Sequence, residues 1–243
     1  MNAGAEDAAA SANDRLIVAL DVPTAAQARE LAEQLRGTCR WVKVGLELYL
    51  AAGAAMVEEL TAQGFSVFLD LKFHDIPNTV AGAVRSAASM GASLLTIHAA
   101  GGPAMLRAAA EAAAATTNAP QLLAVTVLTS MDRAQLSAIG IETSAADQVL
   151  RLARMAIDSE IRGLVCSPEE VALLRRELKS QPRLVVPGIR PAGAAVGDQK
   201  RIATPADAIR AGASQLVVGR PITHAADPAK AAQSILTEIA SAV

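Results

Sequence analysis

Eight short apolar runs recur along the chain, each followed by a stretch of helical composition. The runs are LIVAL (16–20), WVKVG (41–45), SVFLDLK (66–72), LLTIH (94–98), LLAVTVL (122–128), GLVC (163–166), RLVVPGI (183–189) and QLVVG (215–219). They are apolar on successive positions rather than on alternate ones, the pattern of parallel strands covered on both faces. Helix-start signals stand between them. Thr24 precedes AAQARELAEQL, and Pro77-Asn78-Thr79 opens VAGAVRSAASM with Gly91 just beyond as a C-terminal cap. Ser167 stands before Pro168-Glu169-Glu170, and Thr204-Pro205 and Asp227-Pro228 open the last two segments.

Eight strands alternating with eight helices, with no linker, imply a single-domain α/β fold, the closed (β/α)8 or TIM barrel. That fold takes roughly 250 residues, and this chain has 243. The alternative is an open doubly wound sheet, which calls for G-x-G-x-x-G after the first strand; none is present. Residues 14–243 are therefore assigned to the barrel. Residues 1–13, MNAGAEDAAASAN, lack a basic n-region and an apolar h-region and are assigned to a frayed tail rather than a signal peptide.

Apolar residues make up 52% of the chain and aromatic ones 2%, so Ala, Val, Leu and Ile must build the core. The net charge of −2 argues against a general nucleic-acid binder but leaves room for a local basic pocket. No apolar run reaches the ~18 residues of a membrane span. Cys39 and Cys166 are far apart and form no C-x-x-C, which suggests a reducing cytoplasm and two buried thiols. His74, His98 and His224 have no metal-ligand spacing, so no metal is expected.

In a barrel, function sits at the C-terminal ends of the strands, and there this chain carries its polar residues. They are Asp21, Lys43, Asp70 with Lys72, His98, Thr129-Ser130, Ser167, Arg190 and Gly219-Arg220. Ionisable groups on a buried rim cost several kcal/mol each unless paired, so these should pair with one another or with a ligand. Asp70 and Lys72 are two apart and point to one face of their strand. Lys43 is one strand away, and Asp75 follows closely. The plain alternative is a structural ion pair inside the barrel. Arg190 and Gly219-Arg220 lie after strands 7 and 8, where such barrels often bind phosphate; the alternative is solvated surface arginine. His98 more commonly reads as a hydrogen-bonded core histidine, and His74, inside the charged motif, as support for that motif. Trp41 and Tyr49 should pack in or against the barrel wall.

With these residues in place, the chain resembles the orotidine 5′-phosphate decarboxylase family from about residue 15 to 240. The likeness rests on VALD (18–21), VKVG (42–45), DLKFHDIPNT (70–79), VTVLTSM (125–131), PGIRP (187–191), GDQ (197–199) and VGRPIT (218–223). D-x-K-x-x-D alone is moderately specific; the whole set in this order is strongly so.

The resemblance implies conversion of orotidine 5′-phosphate to UMP, the last step of pyrimidine synthesis, without metal or organic cofactor. It implies that Asp21 and Lys43 contact ribose hydroxyls or hold the charged network. Asp70 lies beside the substrate carboxylate, and Lys72 donates the proton. Thr129, with Ser130 close by, meets the pyrimidine edge. Arg190, Gln199, Gly219 and Arg220 hold the pyrimidine side and the 5′-phosphate. It also implies a homodimer in which Asp75 and Thr79 serve the neighbouring subunit's site.

Loss of CO₂ from C6 leaves an in-plane carbanion that the ring cannot delocalise, so it needs electrostatic stabilisation, here from an ammonium flanked by acids. Two sugar-phosphate enzymes share the barrel and the D-x-K-x-x-D core: 3-keto-gulonate 6-phosphate decarboxylase and hexulose-phosphate synthase, both Mg²⁺-dependent. They are the rival reading, and a catalytically silent phosphate-binding barrel is a further one.

Overall fold

The structure, a computed structural model, describes residues 12–178, 182–191 and 202–242. Eight strands close into a parallel barrel in sequence order: β1 (Leu16–Ala19), β2 (Trp41–Gly45), β3 (Ser66–Phe73), β4 (Leu94–His98), β5 (Gln121–Val125), β6 (Gly163–Val165), β7 (Arg183–Val186) and β8 (Gln215–Val218). β1 pairs with both β2 and β8, which removes every free sheet edge. The chain is thus the expected (β/α)8 TIM barrel.

Two apolar cores follow from the alternation of side chains along each strand. Val18, Val42, Val67, Leu69, Leu95, Ala124, Leu184 and Val218 face outward into the layer beneath the helices. Ile17, Ala19, Phe68, Leu94, Leu123, Val185 and Val217 face inward and plug the barrel, with Trp41 packed beside them. Tyr49 packs against the outer core. Both cysteines are buried; burial pushes the Cys39 thiol up to about 12.

The helix starts follow local capping chemistry. Thr24, Thr204 and Asp227 each accept a backbone N–H from the first turn of their helix. Ser167 and Glu170 form a reciprocal capping box in which the Ser167 backbone N–H donates to the Glu170 carboxylate at 2.8 Å. Gly91 takes φ +80° just beyond the helix Pro77–Ser89, the left-handed turn expected there.

Eleven α-helices, not eight, occur among the described residues. The additions are the short segments Ala12–Arg15, Arg133–Ala138 and Arg220–Thr223. Arg133–Ala138 exists because Asp132 and Gln135 close a capping box. Ala12–Arg15 moves two residues out of the expected tail. It is tied down by the Arg40–Asp14 ion pair at 2.6 Å and by Gln215 Nε2 donating to the Asp14 carbonyl at 2.8 Å. β5 also stops at Val125, short of the run expected to reach residue 128. Among the described residues, no helix is long and apolar enough to cross a membrane.

Candidate active site

The inward alternation that plugs the barrel also delivers charge to its mouth. One step of two beyond Trp41 is Lys43, beyond Ala19 is Asp21, beyond Phe68 is Asp70, and beyond Leu94 is Thr96. Above the plug lies a cavity of about 500 Å³, within the range of small-molecule sites. Ala19, Phe68, Val125, Val165 and Val217 give it an apolar floor.

The acids and bases alternate across three strands. Lys43 Nζ is 2.7 Å from Asp21 Oδ1 and 3.6 Å from Asp70 Oδ2, and Lys72 Nζ is 2.8 Å from Asp70 Oδ1. At an effective dielectric of about 20, contacts this close supply roughly 4 kcal/mol of attraction each, against a desolvation cost of several kcal/mol per ion. Alternation therefore permits the burial rather than adding net stability. The Lys43 side chain is 9% exposed and Asp70 13%, while Lys72 keeps 31% and faces the cavity. Burial alone would raise the Asp70 carboxyl. The charges of Lys43 and Lys72, with hydrogen bonds from Lys72 and Thr96, outweigh that and hold it below the usual carboxylate range.

Lys72 has φ +51°, a left-handed conformation uncommon for a residue with a side chain and costing of order 1–3 kcal/mol. It lies where the β3–β4 register shifts, between Leu69 and Phe73. Strain at a cavity-facing lysine is what a positioned functional group shows.

The opposite wall comes from the loops after β7 and β8. Gly188, at φ +80°, takes a left-handed turn on the cavity wall. The segment is then pinned by Arg190 N–H donating to the Ala203 carbonyl at 2.9 Å. Arg190 is buried and Arg220 exposed, and both line the cavity with Gly219 and Thr129. A Cβ at Gly219 would meet nothing closer than Ala19 Cβ at 3.6 Å, so the glycine relieves no clash; the room it leaves opens on the cavity.

Asp21, Lys43, Asp70, Lys72, Thr129, Arg190, Gly219 and Arg220 thus share one cavity. Asp75 and Thr79 do not line it. Both are exposed at the start of the helix Pro77–Ser89, and the Asp75 carboxylate accepts the Ile76 backbone N–H at 2.6 Å. Gln199 lies outside the described residues.

The His98 ring makes no hydrogen bond among the described residues, contrary to the core-histidine expectation. It stands 5.6 Å from the His74 ring. Burial, then the His74 and Lys72 charges, lower its pKa, against an opposing pull from Asp70. Thr96 drew no attention in the sequence because threonine is an ordinary strand residue. The signal available was its parity: it shares the inward face with Leu94 and His98. His224, which also had no assigned role, lines the cavity beside Thr223.

Comparison with known proteins agrees with this geometry. The chain is 56% identical over 228 residues to orotidine 5′-phosphate decarboxylase of Halorhodospira halophila, covering 94% of this chain and 97% of that one. It is 50% identical to the enzyme of that name from Moorella thermoacetica, with 94% and 93% covered. The crystal structure of orotidine 5′-phosphate decarboxylase from Lactobacillus acidophilus superposes with a TM-score of 0.83 at 40% identity, covering 93% of this chain and 99% of that one. The model of the orotidine 5′-phosphate decarboxylase / HUMPS family matches residues 14–235, a span that takes in all eight strands and every ionisable residue of the cavity. With barrel, charged mouth and sequence in agreement, the chain belongs to the orotidine 5′-phosphate decarboxylase / HUMPS family.

Proposed function

We propose that this chain decarboxylates orotidine 5′-phosphate to UMP, the closing step of pyrimidine nucleotide synthesis, in the cytoplasm. The observation that carries the reading is the Lys43–Asp70–Lys72 array at one side of a cavity whose other side holds Arg190 and Arg220. The relatives that share the chain at 50% identity and above carry that activity in their names.

In this reading the 5′-phosphate sits against Gly219 and Arg220, whose guanidinium forks onto its oxygens. Arg190, Thr129 and Gln199 hold the pyrimidine, and Asp21 with Lys43 takes the ribose hydroxyls. The C6 carboxylate then lies beside Asp70. Like charges ~4 Å apart repel by roughly 4 kcal/mol at a dielectric of 20, far below the ~23 kcal/mol of the largest enzymatic accelerations. Most of the effect therefore comes from stabilising the carbanion that forms as the C6–CO₂ bond breaks. The Lys72 ammonium faces that electron pair, stabilises it, and gives up a proton to C6. Binding energy from the remote phosphate holds the site closed around the reacting carbon.

The same reading makes the protein a homodimer that lends Asp75 and Thr79 to its partner's cavity. Their exposure away from their own cavity supports this, as do exposed apolar residues on neighbouring elements. Leu46 is 52% exposed, Leu50 82% and Ile76 67%, all on or beside the helices that follow β2 and β3.

The test is decarboxylation of orotidine 5′-phosphate followed by ultraviolet absorbance, wild type against Lys72→Ala. Turnover by wild type that persists in EDTA and vanishes in Lys72→Ala supports the reading. An EDTA-sensitive reaction on a sugar phosphate instead would overturn it.

A further inference from the structure

β3 and β4 run in register through Leu69↔Leu95 and rejoin at Phe73↔Ile97. Between those pairs Asp70, Leu71 and Lys72 all stand opposite Thr96 alone. The ladder cannot serve this bulge, and with Lys72 at φ +51° its backbone N–H turns instead to Thr96 Oγ1 at 2.9 Å. The same hydroxyl donates its one proton to Asp70 Oδ1 at 3.0 Å. That oxygen also accepts from Lys72 Nζ at 2.8 Å, while Oδ2 faces Lys43 at 3.6 Å. Thr96 is 0% exposed. One buried hydroxyl therefore clasps both the backbone and the acid partner of the cavity-facing lysine.

We propose that Thr96 is a positioning residue for the proton donor: its hydroxyl holds the β3 bulge and locks the Asp70 carboxylate so that one oxygen serves Lys72 and the other Lys43. This rests on the decarboxylase reading and deepens it. The group must accept from an N–H and donate to a carboxylate at once. Valine matches threonine in shape and does neither; serine does both. A threonine that merely filled space in β4 would be replaced by valine without consequence.

The experiment compares wild type, Thr96→Val and Thr96→Ser in steady-state turnover of orotidine 5′-phosphate across pH, with UMP affinity by calorimetry. A displacement of about 1 Å at a reacting group can cost about 100-fold. Thr96→Val should lower kcat by about 10- to 100-fold, with UMP affinity within about threefold of wild type. Its acid limb of kcat/KM should move to higher pH, because Asp70 loses a donor to its charged form. Thr96→Ser should restore kcat and the limb. Wild-type kcat and pH profile in Thr96→Val, or a Thr96→Ser as poor as Thr96→Val, would overturn the proposal while leaving the decarboxylase reading standing. An inactive wild type would overturn that reading and the proposal with it. Should Thr96→Val fail to fold, amide exchange in the wild type decides: a slowly exchanging Lys72 N–H supports the clasp, and solvent-rate exchange overturns it.

Discussion

The Lys43 ammonium donates to Asp21 Oδ1 at 2.7 Å, and the room for that bond exists because residue 45 has no side chain. A Cβ at Gly45 would stand 2.9 Å from Lys43 Nζ and 3.0 Å from Asp21 Oδ1. The backbone there is extended, with φ −95° and ψ −176°, and accepts any residue. The atoms in the way are tips of flexible side chains, which can swing aside. Gly45→Ala should therefore leave the melting temperature within about 3 °C of wild type. It should lower kcat/KM roughly tenfold by breaking the Asp21–Lys43–Asp70 alignment. Calorimetry and steady-state kinetics on the one variant separate the two effects; unchanged kcat/KM would mean that alignment is not used.

Arg220 is exposed and lines the same cavity as Lys72, on the loop after β8. If phosphate binding energy is spent on closing the site, Arg220→Ala lowers kcat as well as raising KM, with kcat/KM down about 100-fold or more. A rise in KM alone at constant kcat would show uniform binding instead.

The proposed dimer carries its own test. Lys72→Ala and Asp75→Asn homodimers should each be nearly inactive. Hybrids purified after co-expression should recover turnover, since one of their two sites holds both an intact Lys72 and an intact Asp75. Charge placed at the exposed apolar positions, as in Leu50→Arg with Ile76→Arg, should shift the protein to monomer by sedimentation and remove activity with it. Active monomers would show that Asp75 serves its own chain or none.

Two groups give stability a pH dependence of the same sign. Asp70 is held below the usual carboxylate value, so its contribution is complete above the unfolded value of ~3.9 and is lost as pH falls through its folded one. His98 is lowered chiefly by burial. The unfolded chain takes up that proton near ~6.5 while the native state resists it, so stability again falls as pH drops below the unfolded value. Of the two, His98 is the one that operates just below about pH 6.5. Urea unfolding across that window should show declining stability in the wild type and a flatter profile in His98→Asn. An equal slope in both would place the titrating group elsewhere.

The eight strands, their order in a closed barrel and the sharing of one face by Asp70 and Lys72 were all legible in the chain. These depend on local periodicity and on where a parallel barrel must bury apolar residues. So was the gathering of Lys43, Arg190 and Arg220 at one mouth, because every inward position at a strand's C-terminal end converges there. What the chain alone left undecided depends on partners distant in sequence. The β3 bulge and the left-handed Lys72 stand against a hydroxyl presented by β4, and no residue near Lys72 encodes that. Asp75 read as a neighbour of Lys72, yet the turn into the helix Pro77–Ser89 carries it out of its own cavity. Spacing along a strand fixes a side chain's face; only tertiary packing sets its distance, its shielding from water and the atom it meets.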